Sequence, residues 1–127
     1  MKIKLVSFES NEVSYEEVMD GDIIQITFSE IKNTANLEKR KYILVSQNYE
    51  FPGSPSFEWF DGHSNDGGAN LEKFYFSADT LEILFNNGLG FAISYSCSLR
   101  IFQKIKAFFK REFGKMAYSK PFLIEKR

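Results

Sequence analysis

The sequence predicts an α+β domain, in which a mainly antiparallel meander sheet of about six to seven strands is packed by one C-terminal amphipathic helix. Three observations predict it. Short alternating apolar runs, separated by turn residues, fill most of the chain between Ile23 and Tyr95. One helical-period stripe, made of Leu99, Ile101, Phe102, Ile105, Phe108, Phe109 and Phe113, follows them. The length of 127 residues is that of one domain, so 1–127 is expected to form a single unit without internal repeat.

Each element rests on its own pattern. Lys2–Phe8 alternates as a strand, with Ile3 and Leu5 on one face. Glu9–Asp22 carries six acids and no base. Within it Ser14-Tyr15-Glu16-Glu17 fits a capping box, and Tyr15, Val18 and Met19 share a helical face. A short helix is therefore expected over Ser14–Met19, closed by Asp20-Gly21. Ile23–Phe28 is a strand, with Ile24, Ile26 and Phe28 on one face and Gln25 and Thr27 on the other. Ser29–Lys39 reads as a polar loop, and Lys41–Gln47 as a central strand with apolar residues on both faces.

Pro52, Gly53 and Pro55 break the ladder across Asn48–Ser56. Phe57–Phe60 resumes it. Leu71–Phe76 and Leu81–Phe85 form a hairpin about Ser77-Ala78-Asp79-Thr80. Asn86-Asn87-Gly88 turns into a last strand, Phe91–Tyr95. Ser98 is placed as the helix N-cap and Gly114 as its terminator, with Arg100, Lys104, Arg111 and Lys115 on the solvent face. Phe122, Leu123 and Ile124 form a docking segment in an extended tail.

Composition narrows the function classes. The chain has 14 Phe, 6 Tyr and one Trp, which predicts a phenylalanine-dominated core with rings to spare for a partner surface. Cys97 is the only cysteine, so no intramolecular disulfide forms, as suits a reducing compartment. The N-terminal MKIKLVSFES has no apolar h-region, and no apolar run approaches the length of a membrane span. A cytoplasmic location is expected. Net charge is −1, but residues 97–127 carry nine Lys/Arg against two Glu, and the acids dominate the remainder. Such segregation steers oppositely charged partners, or simply sets a basic helix against an acidic sheet in water.

The loop Asp61-Gly62-His63-Ser64-Asn65-Asp66-Gly67-Gly68 holds the only His and is the first candidate site. Its spacing invites calcium, with Asp61, His63 and Asn65 alternating and Glu72 twelfth, but Asp66 stands at the sixth place, where that loop needs glycine. One His and one distant Cys make no zinc set. His63 lacks a paired nucleophile and reads as a polar turn residue; catalysis by it would need an enclosed pocket with a second titratable group. Cys97 reads as a structural thiol. No phosphate loop or nucleophile elbow occurs. No catalytic residue, metal or cofactor is expected. The basic helix face keeps its aromatics on the buried stripe, so neither nucleic acid nor membrane is expected as a partner.

The run Tyr42–Phe113 resembles the immunity protein 10 family of bacterial polymorphic toxin systems. The matching pattern is the strand Tyr42-Ile43-Leu44-Val45-Ser46-Gln47, a Pro-containing loop, the strand Phe57-Glu58-Trp59-Phe60-Asp61, the polar loop Ser64-Asn65-Asp66-Gly67-Gly68, a hairpin and the terminal helix. The resemblance covers a little over half the chain. It implies a cytoplasmic antidote that binds and neutralises a cognate toxin protein and is not an enzyme. On that reading Glu58, Asp61, His63 and Asp66, with Trp59 as an aromatic anchor, line the partner surface, joined by Glu16 and Glu17 of the acidic stretch. The alternative is a non-enzymatic ligand- or lipid-binding module, since about seven strands and a C-terminal helix also suit a pleckstrin-homology-like barrel.

Overall fold

The computed structural model describes residues 2–31, 40–51, 53–114 and 121–123. Among the described residues eight strands and one α-helix are formed: β1 Lys4–Val18, β2 Ile23–Glu30, β3 Tyr42–Asn48, β4 Ser56–Phe60, β5 Asn65–Gly67, β6 Leu71–Phe76, β7 Thr80–Phe85, β8 Leu89–Tyr95 and α1 Leu99–Phe113. All strands join one sheet in the order β5-β4-β3-β2-β1-β8-β7-β6. The α+β class holds. The sheet has eight strands rather than six to seven, and it is mixed, because β1 runs parallel to β8.

β1 organises the sheet. Its first half, Lys4 to Ser10, pairs with β8, and its second half, Ser10 to Val18, pairs antiparallel with β2. A bulge between Ser10 and Glu12 separates the halves and reverses which side chains face inward. Before it Val6, Phe8 and Ser10 are buried; after it Val13 and Tyr15 pack on the core. Ile3 and Leu5 share a face as expected, and it is the outer one, with Leu5 38% exposed. The expected helix over Ser14–Met19 is corrected. Ser14 to Val18 pair residue by residue with Thr27 to Ile23, so cross-strand bonds and inward alternation override the capping-box signal. Only a 3-10 turn at Met19–Gly21 follows. Much of the expected Ser29–Lys39 loop lies outside the described residues.

The two halves of the sheet curl so that their inner faces meet. Trp59 on β4 stacks on Phe85 of β7 (4.8 Å between centroids) and meets Phe91 of β8 edge-on at 5.9 Å. Helix α1 fills the open side: Phe113 touches Phe57 on β4 (5.8 Å) and Phe74 on β6 (4.8 Å). β3 is buried on one face only, at Ile43, Val45 and Gln47, and not apolar-buried on both. Ser98 caps α1 by accepting the Ile101 N–H at 3.2 Å. Ile105, Phe108, Phe109 and Phe113 form its buried stripe, whereas Leu99 is 69% exposed. Gly114 caps the helix as expected, with a right-handed φ of −55° and its N–H donating to the Lys110 carbonyl.

The tail docks where the apolar pair Phe122 and Leu123 indicated; Ile124 lies outside the described residues. Leu123 packs over Gly90 on the outer face of β8, where a Cβ would sit 3.2 Å from its Cδ1. Glu82, fully buried on β7, accepts the N–H groups of Phe122 (2.7 Å) and Leu123 (2.8 Å) through Oε1. Among the described residues no helix is long and apolar enough to cross a membrane.

Candidate functional site

The loop after β4 is built around Asp61. Strand alternation carries Phe57, Trp59 and Asp61 to the inner side, so the Asp61 carboxylate is buried at the end of the core. Its Oδ1 accepts the N–H groups of His63 (2.9 Å) and Ser64 (3.0 Å), and its Oδ2 pairs with Lys4 Nζ at 3.2 Å. Burial opposes ionisation, but the Ser64 and His63 N–H groups and the Lys4 ammonium outweigh it and hold the carboxyl down at about 2. Asp61 is thus an ionised loop organiser. The chain then returns as β5, with Asn65 opposite Phe60 and Asp66 opposite Trp59. Gly67 permits the return, since a Cβ there would lie 2.7 Å from the Phe57 carbonyl oxygen.

The candidate residues divide into four places. Asp61 and His63 line a cleft of about 730 Å³ together with Lys4, Lys41 and Leu5 to Ser7. His63 is exposed, and Lys41 pairs with Glu30 at 3.9 Å. Glu58 and Asp66, both exposed, share a neighbouring depression of about 460 Å³. Glu16 and Glu17 are exposed on β1, which β2 and β3 separate from β4, roughly 14 Å away at usual strand spacing. The sheet register puts Glu16 on the outer face with Gln25 and Ser46, and Glu17 on the inner side with Ile24 and Gln47. Trp59, expected as a surface anchor, is 2% exposed and belongs to the core, because it falls on the inward face of β4 between Phe85 and Phe91.

Other polar chemistry is structural. Cys97 packs beside the core, and burial pushes its thiol up. Tyr95 donates its hydroxyl to the Ser77 carbonyl and is likewise raised by burial. Among the described residues no three His, Cys, Asp or Glu side chains gather to hold a metal ion.

Two features leave little trace in the sequence. The exposed Tyr49 and Phe51 sit in the turn after β3, close to Met19 at the β1–β2 turn. Their signal is the presence of aromatics inside a Pro/Gly-rich break. The buried Glu82 has none, since an acid in Leu-Glu-Ile-Leu reads as the outward residue of an alternating strand. No family model matches the chain, and no curated protein matches it.

Proposed function

We propose that this chain is a non-enzymatic binding protein that neutralises a cognate toxin, acting in the cytoplasm. The observation that carries the reading is the acid distribution on β1 and its turn. Glu9, Glu12, Glu16, Glu17, Asp20 and Asp22 are all exposed on an ordered strand and turn instead of a solvated loop. The sheet register puts Glu9, Glu12 and Glu16 on the outer face, with Glu12 paired to Arg40 at 2.8 Å, and Glu17 on the inner side. Ordered acids complement a toxin whose substrate cleft is basic, and fixed charges raise the association rate. The resemblance of Tyr42–Phe113 to immunity protein 10 supports the same class. Co-expression with the toxin encoded beside this gene tests it: growth rescue and co-purification are expected, and the absence of both overturns the proposal.

A second reading, a ligand-binding β-module, draws on the cleft at Lys4, Lys41 and His63, which presents nitrogen donors beside an open wall. Sedimentation with phosphoinositide-containing liposomes decides for or against it; the Lys4–Asp61 and Lys41–Glu30 pairs already occupy the two ammonium groups, so little binding is expected.

A further inference from the structure

Met19, Tyr49 and Phe51 are three of the six large hydrophobic side chains exposed among the described residues, at 66%, 44% and 66%. They lie on two adjoining turns at one end of the sheet. Asp22 joins these turns: its N–H donates to the Met19 carbonyl at 3.1 Å, and its carbonyl accepts the Tyr49 N–H at 2.7 Å. The Tyr49 ring is held in place from the helix. Its hydroxyl accepts from Arg111 Nη2 at 2.6 Å and donates to Glu112 Oε2 at 3.0 Å, while the guanidinium lies 5.5 Å from the ring centroid. Glu112 is fixed in turn by Gln47 Nε2 at 3.0 Å. A ring already anchored loses little conformational freedom when a partner covers it.

The two turns themselves carry charge of one sign. Asp20, Asp22 and Glu50 are exposed on the same two turns, and residues 18–23 and 48–51 contain no Lys or Arg. Arg111, the cation beneath Tyr49, is neutralised by Glu112 at 3.2 Å. Apolar and aromatic side chains at the centre with charges at the rim is the anatomy of a protein interface. We infer that this end of the sheet is the docking surface for a basic protein. The partner's apolar centre covers Met19, Tyr49 and Phe51, and its Lys/Arg rim meets Asp20, Asp22 and Glu50. The identity of that partner as a toxin rests on the proposed function; the location of the surface does not.

Two probes keep the inference and the proposed function apart. The first is the purified toxin of the adjacent gene. Phe51→Ser and Met19→Asn are each expected to weaken binding roughly tenfold or more. Leu99→Ser, which removes an equally exposed apolar side chain from the start of α1, is expected to leave it unchanged. Asn accepts the left-handed backbone of position 19, so the Met19 variant folds. If the parent binds and both variants bind equally well, the surface lies elsewhere and the neutralising role stands. If the parent does not bind, that role falls, and the second probe decides the surface. This probe is cytochrome c, a basic protein, titrated at low salt and followed by amide chemical shifts. Shifts centred on residues 19–22 and 49–51 support the inference, and shifts centred elsewhere, or none, overturn it.

Discussion

At one end of the sheet, the loop Asp61 to Ser64 folds onto its own carboxylate, and that carboxylate closes on Lys4. At the other end, the turns carrying Met19 and Phe51 satisfy their backbones through Asp22 and leave large apolar side chains in water. The loop end is rich in residue types that suggest chemistry, and its acid is already engaged within the chain. The turn end has no His and no buried acid, and it leaves Met19, Tyr49 and Phe51 exposed. Polar residues in a glycine-rich loop therefore say less about function than which groups have been satisfied. Both ends are anchored by side chains whose removal tests this contrast.

The largest effect is expected at Trp59. As a core ring between Phe85 and Phe91, it should cost about 3–5 kcal/mol on replacement by Ala. Trp59→Phe should recover much of that loss and keep partner affinity, read by urea unfolding and by titration with the toxin. A Trp59→Phe protein that folds fully but binds much more weakly would return Trp59 to the interface.

The next effect is an acid one. Asp61 is held at about 2 in the folded chain against an ordinary 3.8. A depressed folded value means stability that is present above pH ~4 and lost as the carboxyl protonates on the way down to pH ~2. The difference amounts to about 2 kcal/mol. Urea midpoints of the parent and Asp61→Asn should therefore lie well apart at pH 7 and converge below pH ~2, since the variant lacks this carboxylate. Parallel pH profiles would show that the Lys4 and N–H contacts do not stabilise the loop.

The same contrast explains which elements are legible in the sequence. Elements whose signals are local came through: the stripe Ile105, Phe108, Phe109 and Phe113, the Ser98 cap, and the β6–β7 and β7–β8 hairpins about their turns. The acidic segment did not, because its fate is decided by distant pairing. Ser14-Tyr15-Glu16-Glu17 satisfies a helix cap locally, but Thr27 to Ile24 supply an antiparallel neighbour, and the bulge near Asn11 hides the alternation of a 15-residue strand. β5 is hidden because Asn65-Asp66-Gly67 has no strand propensity and pairs only because Gly67 can approach Phe57. At the candidate site, exposure is the illegible quantity. Residue types point to Asp61 and Trp59 as contacts, whereas strand parity turns both inward.

A smaller effect is expected where the docking end is braced. Glu112→Ala removes the acceptor shared by Gln47 and Tyr49 and leaves Arg111 beside Tyr49 without its carboxylate. Tyr49 and Arg111 lie near water, and the buried Gln47 keeps its bond to the Gly53 carbonyl at 3.1 Å, so the loss should be about 1 kcal/mol in urea unfolding. Partner affinity should fall with it, because the Tyr49 ring is then fixed from one side only. A loss of stability with unchanged affinity would separate the brace from binding.

The smallest effect has the opposite sign. Met19 and Asp20 both take left-handed backbone, with φ of 54° and 56°, and Gly21 follows at 89°. A Cβ in that region costs roughly 1–2 kcal/mol, and Asn is the non-glycine residue that enters it most readily. Met19→Asn should therefore raise stability by about 0.5 kcal/mol. The Met19 side chain is 66% exposed already, so the change gives up little buried surface. If Met19 is retained for a partner, the variant that folds better will bind worse, and thermal melts beside toxin titrations read the two together. A Met19→Asn protein that gains stability and keeps its affinity would make the exposed methionine incidental, and leave Phe51 and Tyr49 to carry the apolar centre of the interface alone.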